Sequence, residues 1–270
     1  MSFKSLMVHL DQGARTSSRL ALAVSLARKH QARLIGVFGQ LSPSQKVGLV
    51  SNWPTPEYTA AAQASKAAFE SATAGLPQVE WHDINRGSEG ELVRRVTDQA
   101  RHADLVILGQ GDEDAKSYVP EDLAEEIILN SGRPVLILPY AGNFTEVARR
   151  PLVAWSDVRE AARALNDALP LMEGCNKAIV MSFAPHAEDA RAACENVVRH
   201  LALHGIVGES KAMLVTELGI MDSLLNQAAD LGTDLLVMGA HGPNGLPFMS
   251  RGAGTRYILR HMTVPVLMSN

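Results

Sequence analysis

The chain has 270 residues, of which 46% are hydrophobic, 20% charged and 5% aromatic, with a formal net charge of −4 and a pI of about 6.1. That length favours two domains over one, and acidic and basic residues are interspersed, so no basic stripe is offered to nucleic acid. The apolar runs fall far short of the ~20 residues that cross a bilayer, and Cys175 and Cys194 lack the CxxC or Cys/His company of a zinc site or a disulfide framework.

The N-terminal stretch MSFKSLMVHLDQG reaches Asp11 without the apolar segment and small-residue cleavage site of a secretory signal, so the cytoplasm is the expected location. Taken in chain order, the pattern predicts strands over 4–10, 33–38, 79–84, 104–108 and 134–138. Helices are predicted between them over 16–30, 57–74, 88–101 and 120–130. The stretch from Leu41 to Pro56 holds Ser, Gly, Asn and Pro without periodicity and reads as a long loop. A short linker from Tyr140 to Val147 follows. Further strands are then predicted over 151–155, 177–182, 210–215, 234–238 and 265–268, with helices over 158–169, 187–205, 219–231 and 253–261.

The second half repeats the first. Ala103–Gly109 (ADLVILG) aligns without a gap on Thr233–Gly239 (TDLLVMG), 130 positions later. Each is followed by a proline-containing apolar run, Gly132–Pro139 (GRPVLILP) and Met262–Met268 (MTVPVLM). Upstream, Leu6–Asp11 (LMVHLD) matches Pro151–Ser156 (PLVAWS) with an offset of 145, so the first half carries 15 extra residues, and the 41–56 segment is their place. Strand–helix alternation in both halves specifies an α/β fold: two tandem, five-stranded, parallel-sheet, doubly wound (Rossmann-like) domains over 1–142 and 149–270.

Open parallel sheets bind ligands beyond the carboxyl ends of their strands, which directs attention to the segments after the first and fourth strand of each half. In the second half, Gly239-Ala-His241-Gly242 leads through further glycines to Arg251-Gly252-Ala253-Gly254-Thr255-Arg256, at the start of a predicted helix. A glycine-rich approach to a helix N-terminus suits a phosphate, because the backbone can come close and the unpaired amides and dipole favour an anion. Arg251 and Arg256 flank that end. In the first half, Asp112, Glu113 and Asp114 precede a helix entered through Pro120, Glu121 and Asp122, whose carboxylates already serve the dipole. The expectation is that the first half binds no polyphosphate. A turn-forming role for the glycines, a solvated or capping role for His241 and surface roles for the two arginines remain the alternatives.

The spacing Gly239-x-x-Gly242, nine residues, Gly252 resembles the nucleotide loop of the universal stress protein family, and Leu259–Met268 resembles that family's closing helix and strand. The resemblance runs over nearly the whole chain as two copies, the family's tandem type. It implies an adenine nucleotide, ATP or AMP, in the second half, with the magnesium that accompanies a nucleotide as the only metal. Gly239 and Gly242 would line ribose and phosphates, Gly252, Ala253, Gly254 and Thr255 would hold phosphates, and Ser156 and Asp157 would lie near the nucleoside; beside these, the residues themselves suggest that His241 faces a phosphate and that Arg251 flanks the phosphate end. It further implies pairing of the two domains within the chain, is compatible with a homodimer, and invokes neither nucleic acid nor membrane. Two departures stand out: Ala253 replaces the usual Ser or Thr after the last glycine, and Ser156 replaces the Asp that Asp11 retains in the first half.

No GxxxxGK[ST], HExxH or GxSxG occurs, and no GxGxxG follows either first strand, which argues against P-loop, zinc-protease, serine-hydrolase and dinucleotide chemistry. With no catalytic or metal-binding residue identified, the expected activity is stress-linked regulation through nucleotide binding. The alternatives are a nucleotide-independent module recognising a protein or metabolite, and an ATPase that is slow for want of a positioned general base.

Overall fold

The computed structural model describes residues 2–41, 45–47, 50–52, 54–84, 88–111, 118–214, 219–242 and 252–270. They form two compact units, Ser2–Arg133 and Pro134–Asn270.

The first unit contains β1 (Ser5–Leu10), α1 (Thr16–His30), β2 (Arg33–Phe38), β3 (Gln45–Val47), β4 (Val50–Asn52), α2 (Pro56–Ala72), β5 (Val79–Asp83), α3 (Glu89–Ala100), β6 (Leu105–Gly109) and α4 (Leu123–Asn130). Its sheet runs β5–β2–β1–β6, with every pair parallel. Leu6, Met7, Val8, Leu34, Val37, Leu105 and Ile107 are wholly buried, as expected of strands covered on both faces. The segment expected to be a plain loop between Leu41 and Pro56 contains the antiparallel pair β3/β4, with Gln45 opposite Asn52. Three-residue strands are too short to show an alternating pattern, which is why periodicity did not reveal them.

The second unit contains β7 (Val135–Leu138), β8 (Pro151–Trp155), α5 (Arg159–Met172), β9 (Ala178–Ala184), α6 (Ala187–Leu203), β10 (Gly208–Leu214), α7 (Ile220–Asp230), β11 (Leu235–Gly239), α8 (Ala253–His261) and β12 (Val266–Ser269). Its strands run β10–β9–β8–β11–β12–β7. The first five are parallel, whereas β7 lies antiparallel to β12, with Leu136 opposite Leu267. That antiparallel pair departs from the all-parallel expectation, and it groups β7, the last strand of the first sequence repeat, with the second unit. Helix α5 continues past Pro170 to Met172, three residues beyond the expected end.

The repeated Asp of the two matching motifs has a local structural job. Asp104 Oδ2 accepts the backbone N–H groups of Lys4 and Ser5 at 2.6 and 3.0 Å, just where β1 begins. Asp234 does the same for Arg149 and Arg150, at 2.8 Å each, just before β8. Each carboxylate thereby fixes how the fourth strand of its repeat enters beside the first. No helix among the described residues is long and apolar enough to cross a membrane.

Candidate functional site

In the second unit the chain leaves β8 for β9 on one side and reaches β11 on the other, so strand order reverses between β8 and β11, where open α/β sheets place their ligands. The parallel register sets Met238 beside Ala154, bringing Gly239 to the same level as Trp155. A cleft of about 190 Å³ opens at these strand ends. Part of its lining is apolar and suits a flat ring: Trp155, Met181 and Phe183, with Ile220, Met221 and Leu224 from α7. The polar side of the lining, close to backbone, comprises Gly239, His241, Gly242, Gly252, Gly254 and Thr255, and Ser156 and Glu160 also line the cleft.

The polar side is locked by a short set of contacts. Gly252, the residue before α8, has φ of +79°, a left-handed conformation that a side chain rarely adopts. A Cβ there would also lie 2.4 Å from Nδ1 of His241, so the imidazole packs directly on this glycine. His241, itself at φ +54° and only 6% exposed, donates its backbone N–H to Thr255 Oγ1 at 3.0 Å. The end of β11 is thus stapled to the first turn of α8. The Tyr257 hydroxyl donates to Asp222, tying α8 to α7, and this hydrogen bond pushes the tyrosine pKa up.

Of the residues expected at the site, Ser156, Gly239, His241, Gly242, Gly252, Gly254 and Thr255 converge on the cleft. Arg251 lies outside the described residues. Asp157 turns aside: its Oδ1 accepts the Trp155 indole N–H at 2.9 Å, so it orients the aromatic wall and is not part of the lining. Ala253 opens α8 but does not line the cleft either. Gly239 is required by packing alone, because a Cβ would meet Ala161 N at 2.5 Å and Glu160 C at 2.6 Å, both backbone atoms of α5. Among the described residues no group of three or more His, Cys, Asp or Glu side chains could hold a metal ion.

The universal stress protein family model matches residues 154–270, which takes in the cleft and both stretches that form its polar side. This segment belongs to the universal stress protein family. A crystal structure of a universal stress protein from Archaeoglobus fulgidus DSM 4304 matches with a TM-score of 0.73 at 16% identity, covering 98% of this chain and 96% of that one. A protein assigned to the same family from Pseudomonas aeruginosa UCBPP-PA14 matches with a TM-score of 0.59 at 16% identity, covering 99% and 93%. The two-repeat fold is therefore that of complete universal stress protein structures. A universal stress protein solved in complex with cAMP matches 51% of this chain and 98% of that one, at 15% identity and a TM-score of 0.36. No curated protein matches in sequence.

Sequence reasoning marked none of the apolar lining residues of this universal stress domain's cleft, and it missed one charged residue there, Glu160. Its side chain stands in the first turn of α5 and the residue is 1% exposed. Oε1 accepts a hydrogen bond from Arg159 Nε at 2.7 Å. Oε2 is buried without a hydrogen-bond partner among the described residues. An acid in a helix's first turn usually signals favourable interaction with the dipole at the surface, and nothing in the sequence marks this one as turned inward.

The equivalent position in the first unit, between β1 and β6, is occupied by the chain itself. Arg19, 4% exposed, donates from Nε to the His9 carbonyl at 2.7 Å and from Nη2 to Asp11 Oδ2 at 2.8 Å and Thr16 Oγ1 at 3.1 Å. A Cβ on Gly109 would fall 2.3 Å from Arg19 Nη1, so the guanidinium lies over the glycine that corresponds to Gly239. Burial alone would raise the Asp11 pKa, but Arg19, His9, Thr16 and the Gly13 amide together hold it down at about 2. Burial lowers the His9 pKa to about 4, so this imidazole is neutral at physiological pH. The three acids expected to repel phosphate here, Asp112, Glu113 and Asp114, lie outside the described residues.

Proposed function

We propose that this protein binds an adenine nucleotide in the cleft between β8 and β11 and acts as a stress-response regulator rather than as an enzyme. The carrying observation is the pairing, in one cleft, of an aromatic and methionine-rich wall with a glycine-lined helix start. The first wall suits a purine ring, and the start of α8 suits a phosphate or ribose group brought close to backbone. ATP and AMP are the intended ligands, with magnesium present only as the nucleotide's counterion. Arg251 remains part of the proposal as a phosphate contact, whereas Ala253 and Asp157 act through helix and wall geometry. The first unit takes no nucleotide because Arg19 stands where one would enter. The cytoplasm is the proposed location.

Calorimetric titration of the full chain with ATP, AMP and cAMP tests this reading; cAMP joins the panel because another universal stress protein was solved with it. Saturable binding is expected, and Gly252→Val should abolish it by placing a branched side chain at φ +79° against His241. Absence of heat and of any thermal shift with all three ligands at millimolar concentration would overturn the proposal.

A nucleotide-independent interaction module is the second reading, favoured by one observation: packing on α5 explains Gly239 without any ligand. Partner capture that is unaffected by nucleotide, from protein purified with an empty cleft, would select it. Any ATP hydrolysis is expected to be slow, because the sequence offers no motif for a general base or a metal-bound water.

A further inference from the structure

Glu160 places a carboxyl group where a phosphate-binding pocket would be expected to have none. Three observations place it there. Its residue is 1% exposed and lines the cleft. Oε2, which has no hydrogen-bond partner among the described residues, lies 3.8 Å from the position a Cβ on Gly242 would take. The carboxylate also sits in the first turn of α5, so the positive end of that helix is already matched by a resident anion. A buried carboxylate oxygen left without a donor is costly, and a ligand that brings a hydroxyl or amino N–H to it relieves that cost. A ligand that brings a chain of phosphates to the same place meets like-charge repulsion in a site partly shielded from water.

We propose that Glu160 determines specificity in this cleft: its carboxylate accepts a ribose hydroxyl of any bound nucleoside and, by repelling added phosphate charge, selects a ribonucleoside or its monophosphate over a nucleoside triphosphate. The inference rests on the nucleotide-binding reading above and narrows it. Arg159 neutralises only part of the charge, since it binds the other oxygen from a side chain that is 78% exposed. The apolar wall receives the base in either case, so discrimination falls on the group that approaches Gly242 and Glu160.

The test is calorimetry of the full chain and of Glu160→Gln with adenosine, AMP and ATP, each in EDTA and again with magnesium. Wild-type protein should bind adenosine or AMP at least tenfold more tightly than ATP under both conditions. Glu160→Gln should close that gap to less than threefold, chiefly by tightening ATP. The wild-type ranking stands as a measurement even if the variant fails to fold. ATP binding as tightly as adenosine to wild type in EDTA would overturn the proposal, as would a ranking unchanged in a folded Glu160→Gln. Tight ATP binding that requires both magnesium and Glu160 would also overturn it, since the carboxylate would then be a metal ligand. If ligands bind but the ranking fails, only this inference falls. If no ligand binds either protein, the nucleotide-binding reading falls with it.

Discussion

Replacing Arg19 by Met keeps most of the side-chain volume and removes the cation that holds the first unit's strand ends together. The magnitude follows from Asp11. A carboxylate lowered from 3.8 to about 2 gains about 2 kcal/mol at neutral pH. The true loss is larger, because burial acts in the opposite direction and remains when Arg19 is gone; breaking one partner from a buried pair generally costs about 3–5 kcal/mol. The His9 carbonyl and Thr16 hydroxyl lose their donors as well. The expected loss is therefore about 3–5 kcal/mol, read as faster urea-dependent hydrogen exchange in β1 and β6 peptides, which report on the first unit separately. Adding Asp11→Asn to Arg19→Met should recover at least about 1 kcal/mol, the non-additivity of groups in one network. An Arg19→Met chain within about 1 kcal/mol of wild type, or strictly additive single and double variants, would refute the reasoning.

The same network sets an acid limit. His9 is held neutral with a pKa of about 4 against 6.5, so its contribution is complete above pH 6.5 and is lost as pH falls toward 4, where the unfolded chain takes up the proton first. Asp11, depressed to about 2, adds a second loss between about pH 4 and pH 2. First-unit stability followed by exchange from pH 7.5 to 4 should fall by about 2–3 kcal/mol, and His9→Gln should flatten that slope. Gly239→Ala should cost the second unit up to about 3 kcal/mol, since the new methyl meets backbone atoms of α5 at 2.5 and 2.6 Å. By contrast Gly242→Ala, whose nearest atoms lie at 3.8 Å, should cost under about 1 kcal/mol, and urea melts distinguish the two. Asp234→Ala, which strips acceptors from the Arg149 and Arg150 amides, should cost about 2 kcal/mol in the same melts.

The strands and helices were legible because their signals are local. The ADLVILG and TDLLVMG runs are buried strands, and the boundary of α8 at Ala253 follows from the glycine before it. The glycine spacing likewise located the polar side of the cleft. Other features depended on direction in three dimensions. Arg19 and Glu160 occupy helix positions that a pattern reads as ordinary surface charge; only the packing of α1 over Gly109 and of α5 over Gly239 turns them inward. The hydrogen bond from the Trp155 indole N–H to Asp157 Oδ1 likewise has no signature in the sequence. The antiparallel direction of β7 had no local signal at all, since parallel and antiparallel buried strands share the same apolar composition.

The β7–β12 pairing decides where this protein can be cut. A fragment starting at 149, where the sequence repeat begins, carries β12 with one flank stripped of its backbone partners, an open ladder that another polypeptide can extend. Starting at Pro134 instead keeps β7, and with it the backbone partners of β12.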